Sequence, residues 1–106
     1  MSERLRRYVV YLPLRFNDGR PVPAELVGEA ILELEERFGA ASSDLRAAEG
    51  FWRHEGVRYR DELARVFVDV PDTPENRAFF EQLKERLKRD FKQIDIWMTT
   101  WLIDAV

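Results

Sequence analysis

Hydrophobic positions along the chain fall into runs of two kinds. Tyr8 to Leu14, YVVYLPL, is apolar almost throughout and rich in β-branched and aromatic residues, as a central strand should be. NDGRPVP follows, and its Asp18-Gly19 step and two prolines predict a loop. From Ala24 the spacing becomes helical. Leu26, Val27, Ala30, Ile31, Leu34 and Phe38 form one stripe, Glu25, Glu29, Glu33 and Glu36 lie off it, and Gly39 stands where the helix should stop.

Ser42 to Asp44 reads as a polar break. Two strands are predicted around a tight turn at Glu55-Gly56, over Leu45 to His54 and Val57 to Val70. In the second of these, Ala64, Val66, Val68 and Val70 occupy one face. Asp72-Thr73-Pro74-Glu75 supplies an N-cap, a proline for the first turn and an early acidic residue. Phe80, Leu83, Leu87 and Phe91 then give the buried stripe of a second helix. IDIWMTTWLI, Ile94 to Ile103, closes the chain as an alternating strand. The order βαββαβ predicts an α+β fold, a ferredoxin-like sandwich over residues 1–106 as a single domain. Four antiparallel strands carry two helices on one face, with the first and third strands central.

Two helices leave the other face of such a sheet uncovered. Side chains alternate across a strand, so that face can be read off. It receives Leu63, Arg65, Phe67 and Asp69 from the third strand, and Trp97, Thr99, Trp101 and Ile103 from the last. Ile94, Ile96, Met98 and Leu102 are assigned to the core. With a two-residue turn at Glu55-Gly56, Trp52 faces Tyr59 on the same side as Phe67. Tyr11, Trp52, Tyr59, Phe67, Trp97 and Trp101 are therefore the expected interface or ligand-binding residues. So large an aromatic surface marks an interaction site. Candidate occupants are a second copy of the chain, a small apolar or aromatic ligand, and stacked single-stranded RNA. The RNA reading is the weakest, because Asp69 would repel phosphate and the formal charge is −3.

Catalytic chemistry concentrates in GFWRHEGVRYRDE, Gly50 to Glu62, which holds the chain's single histidine. Asp61, Glu62, His54 and Arg65 offer a general base, an acid and an anion clamp, with His54, Asp61 and Arg65 as the candidates. The bland reading is stronger. His54 sits beside the turn, and Asp61 and Glu62 are adjacent, so a regular strand sends them to opposite faces. Arg53, Arg58 and Arg60 are expected to pair with Glu49, Glu55 and Glu62 across the hairpin. The strand leaving the turn has about fourteen residues, roughly 45 Å fully extended, so the hairpin should project as an arm, with Trp52 as its anchor. LKERLKRDFK, Leu83 to Lys92, reads as a solvated helix face with a Glu85–Arg89 pair. The glutamates of the first helix read likewise as a solvated face.

Composition narrows the classes further. There is no cysteine, which excludes disulfides and thiolate chemistry, and no spacing suggests a metal site or a cofactor. No apolar run approaches the roughly 18 residues of a membrane span. The basic start MSERLRR runs straight into strand-like sequence without a small-residue cleavage site, so a cytoplasmic location is expected.

YVVYLPL, GFWRHEGVRYRDELARVFVDVPDT and NRAFFEQLKERLKRDFKQIDIW, in this order, resemble small bacterial proteins of the ferredoxin-like dimeric α+β barrel superfamily. That resemblance spans nearly the whole chain and implies a homodimer. Its members include heme-degrading and cofactor-free monooxygenases, muconolactone isomerases and plain binding proteins, and the heme-ligating helix histidine has no counterpart here. The expected role is binding or accessory, through the aromatic face. A cofactor-independent monooxygenase or isomerase is the alternative, and an RNA-binding module is a further one.

Overall fold

Alternation decides which side of each strand is buried, and the helices supply the cover. The structure, a computed structural model, describes residues 4–54 and 56–106, with 45–54 and 57–61 as backbone only. Its elements are β1 (Leu5–Pro13), α1 (Ala24–Phe38), β2 (Ser42–His54), β3 (Val57–Pro71), α2 (Pro74–Asp90) and β4 (Met98–Ile103). They form one antiparallel sheet of order β2-β3-β1-β4, the ferredoxin-like arrangement, with β1 and β3 central.

Tyr8, Val10 and Leu12 of β1 and Ala64, Val66, Val68 and Val70 of β3 are all buried on the helix side. Against them lie Val27 and Leu34 of α1, and Phe80, Leu83 and Leu87 of α2, with Phe91 just beyond. The remaining stripe residues of α1 (Leu26, Ala30, Ile31 and Phe38) pack at the margin of this core. Aromatic rings tie the layers together. Phe80 stacks on Tyr8 at 3.8 Å between centroids and on Phe38 at 5.5 Å, while Phe79 meets Phe38 edge-on at 5.4 Å.

The helix ends follow from local chemistry. Thr73 is the N-cap of α2, its hydroxyl accepting from the Asn76 N–H at 3.2 Å, and Pro74 fills the first turn. Gly39, at φ 84°, takes the left-handed position that ends α1 and donates its N–H to the Glu35 carbonyl. In the loop after β1, Asp18 accepts from the Arg20 backbone N–H at 3.0 Å and from its guanidinium at 2.6 Å. Those bonds hold the Asp18 carboxyl below the usual carboxylate range.

Several boundaries and partners differ from expectation. β1 begins at Leu5 and ends before Leu14, and β2 begins at Ser42, so the polar break is already strand. β4 is shorter than the alternation implied, because Gln93 to Trp97 form the approach from α2. Ile94, expected in the core, is 55% exposed, and Leu102 is 40% exposed because it lies on an edge strand. Glu33 is not simply solvated: it accepts from Arg86 at 2.5 Å and so clamps α1 to α2. Glu85 pairs with Lys88 where the spacing predicted Arg89. Lys84 reaches Asp95 at 3.3 Å.

The β2–β3 hairpin outruns the body. β1 pairs with β3 only from Leu63 to Pro71, and the Leu14 N–H adds a bond to the Glu62 carbonyl. From Asp61 to the turn, β3 pairs with β2 alone, and the molecule measures 49 × 28 × 24 Å. A bulge lies within β2. Asp44 faces Arg65 and Ala48 faces Leu63, so four steps on β2 match two on β3. An even surplus returns the alternation in phase, and Trp52 opposes Tyr59 with His54 opposite Val57.

Phe80→Ala should destabilise the fold by about 3–5 kcal/mol in urea titration, since it empties the centre of the aromatic stack. Asp18→Asn should lower stability slightly at neutral pH. The Asp18 pKa is depressed by folding, so its contribution is present above the ordinary carboxylate value and lost as pH falls through the lowered one. Melting curves of wild type and variant should therefore converge in acid; a gap that widens there would contradict the assignment.

Candidate functional site

The uncovered face can be built row by row from the registers. Asp69, Arg7 and Trp101 form one row across β3, β1 and β4; Phe67, Val9 and Thr99 form the next; Arg65 and Tyr11 form the third. Val9 is 0% exposed yet takes no part in the helix-side core, so the centre of this face is itself sealed. Its register neighbours Phe67 and Thr99, and Arg7 and Tyr11 two residues away, are the groups placed to do so.

Charge is arranged around that centre. Arg7 grips Asp69 through two bonds, Nε to Oδ1 at 2.7 Å and Nη2 to Oδ2 at 3.0 Å. The Asp69 carboxylate raises the Arg7 pKa above its ordinary value. The Arg7 guanidinium lies 4.7 Å from the centre of the Phe67 ring, and that of Arg65 lies 5.1 Å from it. Phe67 therefore meets two cations before it meets solvent, a favourable placement for its electron-rich face.

The six expected aromatics separate accordingly. Tyr11 and Phe67 are half-buried. Trp97 is 65% exposed and Trp101 43% exposed. These two lie toward the β4 side of the sheet, where Tyr11 donates its backbone N–H to the Trp97 carbonyl at 3.0 Å. The side chains of Trp52 and Tyr59 lie outside the described residues. Their backbones are opposed in the ladder.

Of the candidate catalytic residues, only Arg65 has its side chain in the described part of the molecule. The side chains of His54 and Asp61 lie outside it, and Arg65 sits over Phe67. The ion pairs expected of Arg53, Arg58 and Arg60 fall on side chains outside the described residues. In the backbone register Arg53 stands opposite Arg58 and Glu49 opposite Glu62, and the Glu62 carboxylate is met by Arg15 at 3.5 Å. Arg7 was missed by sequence reasoning. Its signal was available, since an odd-numbered position of β1 must share the open side with Asp69 once the β1–β3 register is known.

Grooves described in the structure lie on the helices. One of about 250 Å³ is lined by Glu33, Phe79, Leu83 and Arg86, and another of about 520 Å³ by Lys88, Lys92 and Ile94. Among the described residues, no cluster of three or more histidine or carboxylate side chains could hold a metal ion. No helix among them is long and apolar enough to cross a membrane.

No family model matches the chain, and no curated protein matches it. Solved structures do. CutA1 from Oryza sativa is 10% identical with a TM-score of 0.67, covering 99% of this chain and 84% of its own. A phage SAM lyase in complex with S-methyl-5'-thioadenosine is 16% identical with a TM-score of 0.68, covering 99% and 92%. The divalent cation tolerance protein CutA1 from Thermus thermophilus is 15% identical with a TM-score of 0.64, covering 96% and 86%. At such identities the likeness establishes the ferredoxin-like α+β fold and nothing finer.

Arg7→Ala should uncover Phe67. Binding of an environment-sensitive apolar dye should rise, and the urea midpoint should fall. Asp69→Ala should shift the midpoint the same way, and the double variant should fall short of the sum of the two, since both remove one interaction. Strict additivity would show that the pair is not coupled.

Proposed function

We propose that this chain is a small homo-oligomeric binding or accessory protein, and that the β4 margin of its open face is where it meets its partner. One observation carries the reading. Trp97 and Trp101 stand exposed on the same side of the sheet whose centre, at Val9, is sealed. A monomer in water has little reason to keep two such rings together at one border, and tryptophan is among the residues enriched where partners bury surface.

The distribution of charge selects the margin over the middle. Packing two sheets face to face would desolvate the Arg7–Asp69 pair and the Arg65 guanidinium, and removing charges from water is costly unless every bond is replaced. Stacking of nucleic-acid bases on Phe67 is disfavoured in the same way, because two guanidiniums already occupy its surroundings. The catalytic alternative would need a polar group with a shifted pKa beside an apolar cavity. The shifted groups described have local causes at the surface: Arg7 and Arg77 are hydrogen-bonded to Asp69 and Glu81, and Asp18 accepts from the backbone N–H and then the guanidinium of Arg20.

Sedimentation at micromolar concentration should give a mass that is a multiple of 12.6 kDa. The double variant Trp97→Ala, Trp101→Ala should keep the fold, because neither residue belongs to the buried core of the protomer, and should lower that mass. A wild-type chain that sediments at 12.6 kDa and emits like tryptophan in water would refute the proposal.

A further inference from the structure

Backbone geometry at β4 allows the partner and the contact to be specified. β4 is the last strand of the sheet, so among the described residues one of its two edges has no neighbour. Which residues address that edge follows from a single bond. Tyr11 donates to the Trp97 carbonyl, so the pair at Trp97 is a hydrogen-bonded one. Antiparallel alternation then turns the main chains of Trp97, Thr99, Trp101 and Ile103 toward β1. The bonds on the other side of β1 agree, since Arg4 and Leu14, both even-numbered, bond toward β3 and its continuation. Met98, Thr100 and Leu102 are left directing N–H and C=O outward.

From Ile96 to Ile103 this segment carries no charge, no proline and no glycine. Edge strands of monomeric proteins are commonly protected by lysine, proline or a bulge, and this stretch has none of the three. We propose that β4 pairs antiparallel with β4 of a second copy, with Thr100 on the two-fold axis. In that register Met98 lies opposite Leu102 of the partner subunit, and all three outward residues of each strand are used, for about six main-chain hydrogen bonds. Placing Trp101 on the axis instead would supply only about four.

Charge fits the same register. Asp95 comes level with Ala105 of the partner subunit, and Asp104 with Ile96 of the partner subunit, so no like charges face each other. Asp95 is in addition already met by Lys84 within its own protomer. The exposed apolar groups are placed to match. Trp97 lies opposite Ile103 of the partner subunit and Trp101 opposite Thr99 of the partner subunit, all on the open side. Residues paired across the seam share a side, so the two sheets join with helices on one side and both open faces on the other. The Arg7, Asp69 and Arg65 groups stay in water, as sheet-to-sheet packing would not allow.

The inference rests on the oligomeric reading above, and its test separates the two. Thr100→Pro removes an outward N–H from the proposed axis and no backbone N–H from the β1 ladder, although it also removes the bond that the Thr100 hydroxyl donates to the Arg7 carbonyl at 2.9 Å; proline is tolerated on edge strands facing that way. Leu102→Lys puts a charge at the seam without touching the axis and serves should the proline variant misfold. Wild type should sediment at twice 12.6 kDa, and both variants, folded by far-ultraviolet circular dichroism, at 12.6 kDa. In the wild type, the amides of Met98, Thr100 and Leu102 should be protected from hydrogen exchange in the dimer and lose protection on dilution. A wild-type oligomer that both variants leave intact, or outward amides that exchange freely within it, overturns the edge pairing alone. A monomeric wild type overturns the oligomeric reading with it.

Discussion

Covering one face of a four-stranded sheet takes both helices, and the stack of Tyr8, Phe80 and Phe38 is where that cover is fastened. Tyr8 belongs to β1, Phe80 to α2 and Phe38 to the end of α1, so three elements meet in one column of rings. Phe80 and the neighbouring Leu83 are each only 2% exposed. Once α1 and α2 are committed to this side, no helix among the described residues is left for the other. The remaining features of the molecule are responses to that shortage.

One response is chemical. The open face shields its own centre with long cationic side chains, whose methylene stems can cover apolar surface while their heads stay wet. Arg7 does this while held by Asp69, and Arg65 approaches the same ring from the neighbouring position on β3. Val9 is thereby as buried as any residue beneath the helices. An aromatic count along the strands suggests a bare platform, whereas the structure shows a ring capped by guanidiniums with exposed tryptophans to one side.

That difference marks how far the sequence could be read. Element order, the even-numbered core of β3, both helical stripes, the Thr73 cap and the Gly39 stop were legible because each depends on periodicity or on local backbone chemistry. The Trp52–Tyr59 register was legible too, since the bulge in β2 adds an even number of residues and leaves the alternation in phase; Glu55 of the expected turn lies outside the described residues. What escaped were relations between segments distant in sequence. Arg7 with Asp69, Glu33 with Arg86 and Arg15 with Glu62 are each separated by more than forty residues, and only the fold brings them together. The end of the chain was misread for a related reason. Ile94 continues the alternation of β4 in sequence, yet it stands where the chain turns out of α2, and alternation says nothing about where a strand begins.

A sheet with order β2-β3-β1-β4 has two edges, and they differ in kind. On the β2 side the strand is long, bulged and runs out into the hairpin, with Asp44, Arg46, Glu49 and Arg53 along its sequence. Bulges and charges of this sort are the usual protection against unwanted pairing. On the β4 side the strand is short, regular and uncharged. Because the outward groups of β4 fall at Met98, Thr100 and Leu102, a two-fold axis at Thr100 uses all three on each strand, more than an axis at any other residue allows. The two edges therefore differ: the β2 edge is interrupted by its bulge, and the regular β4 edge is the one that the proposed pairing would join to a copy of itself. Joined that way, two protomers would set their tryptophan margins side by side while leaving each Arg7–Asp69 pair solvated, so the assembly would need no rearrangement of the face that the missing helices left open.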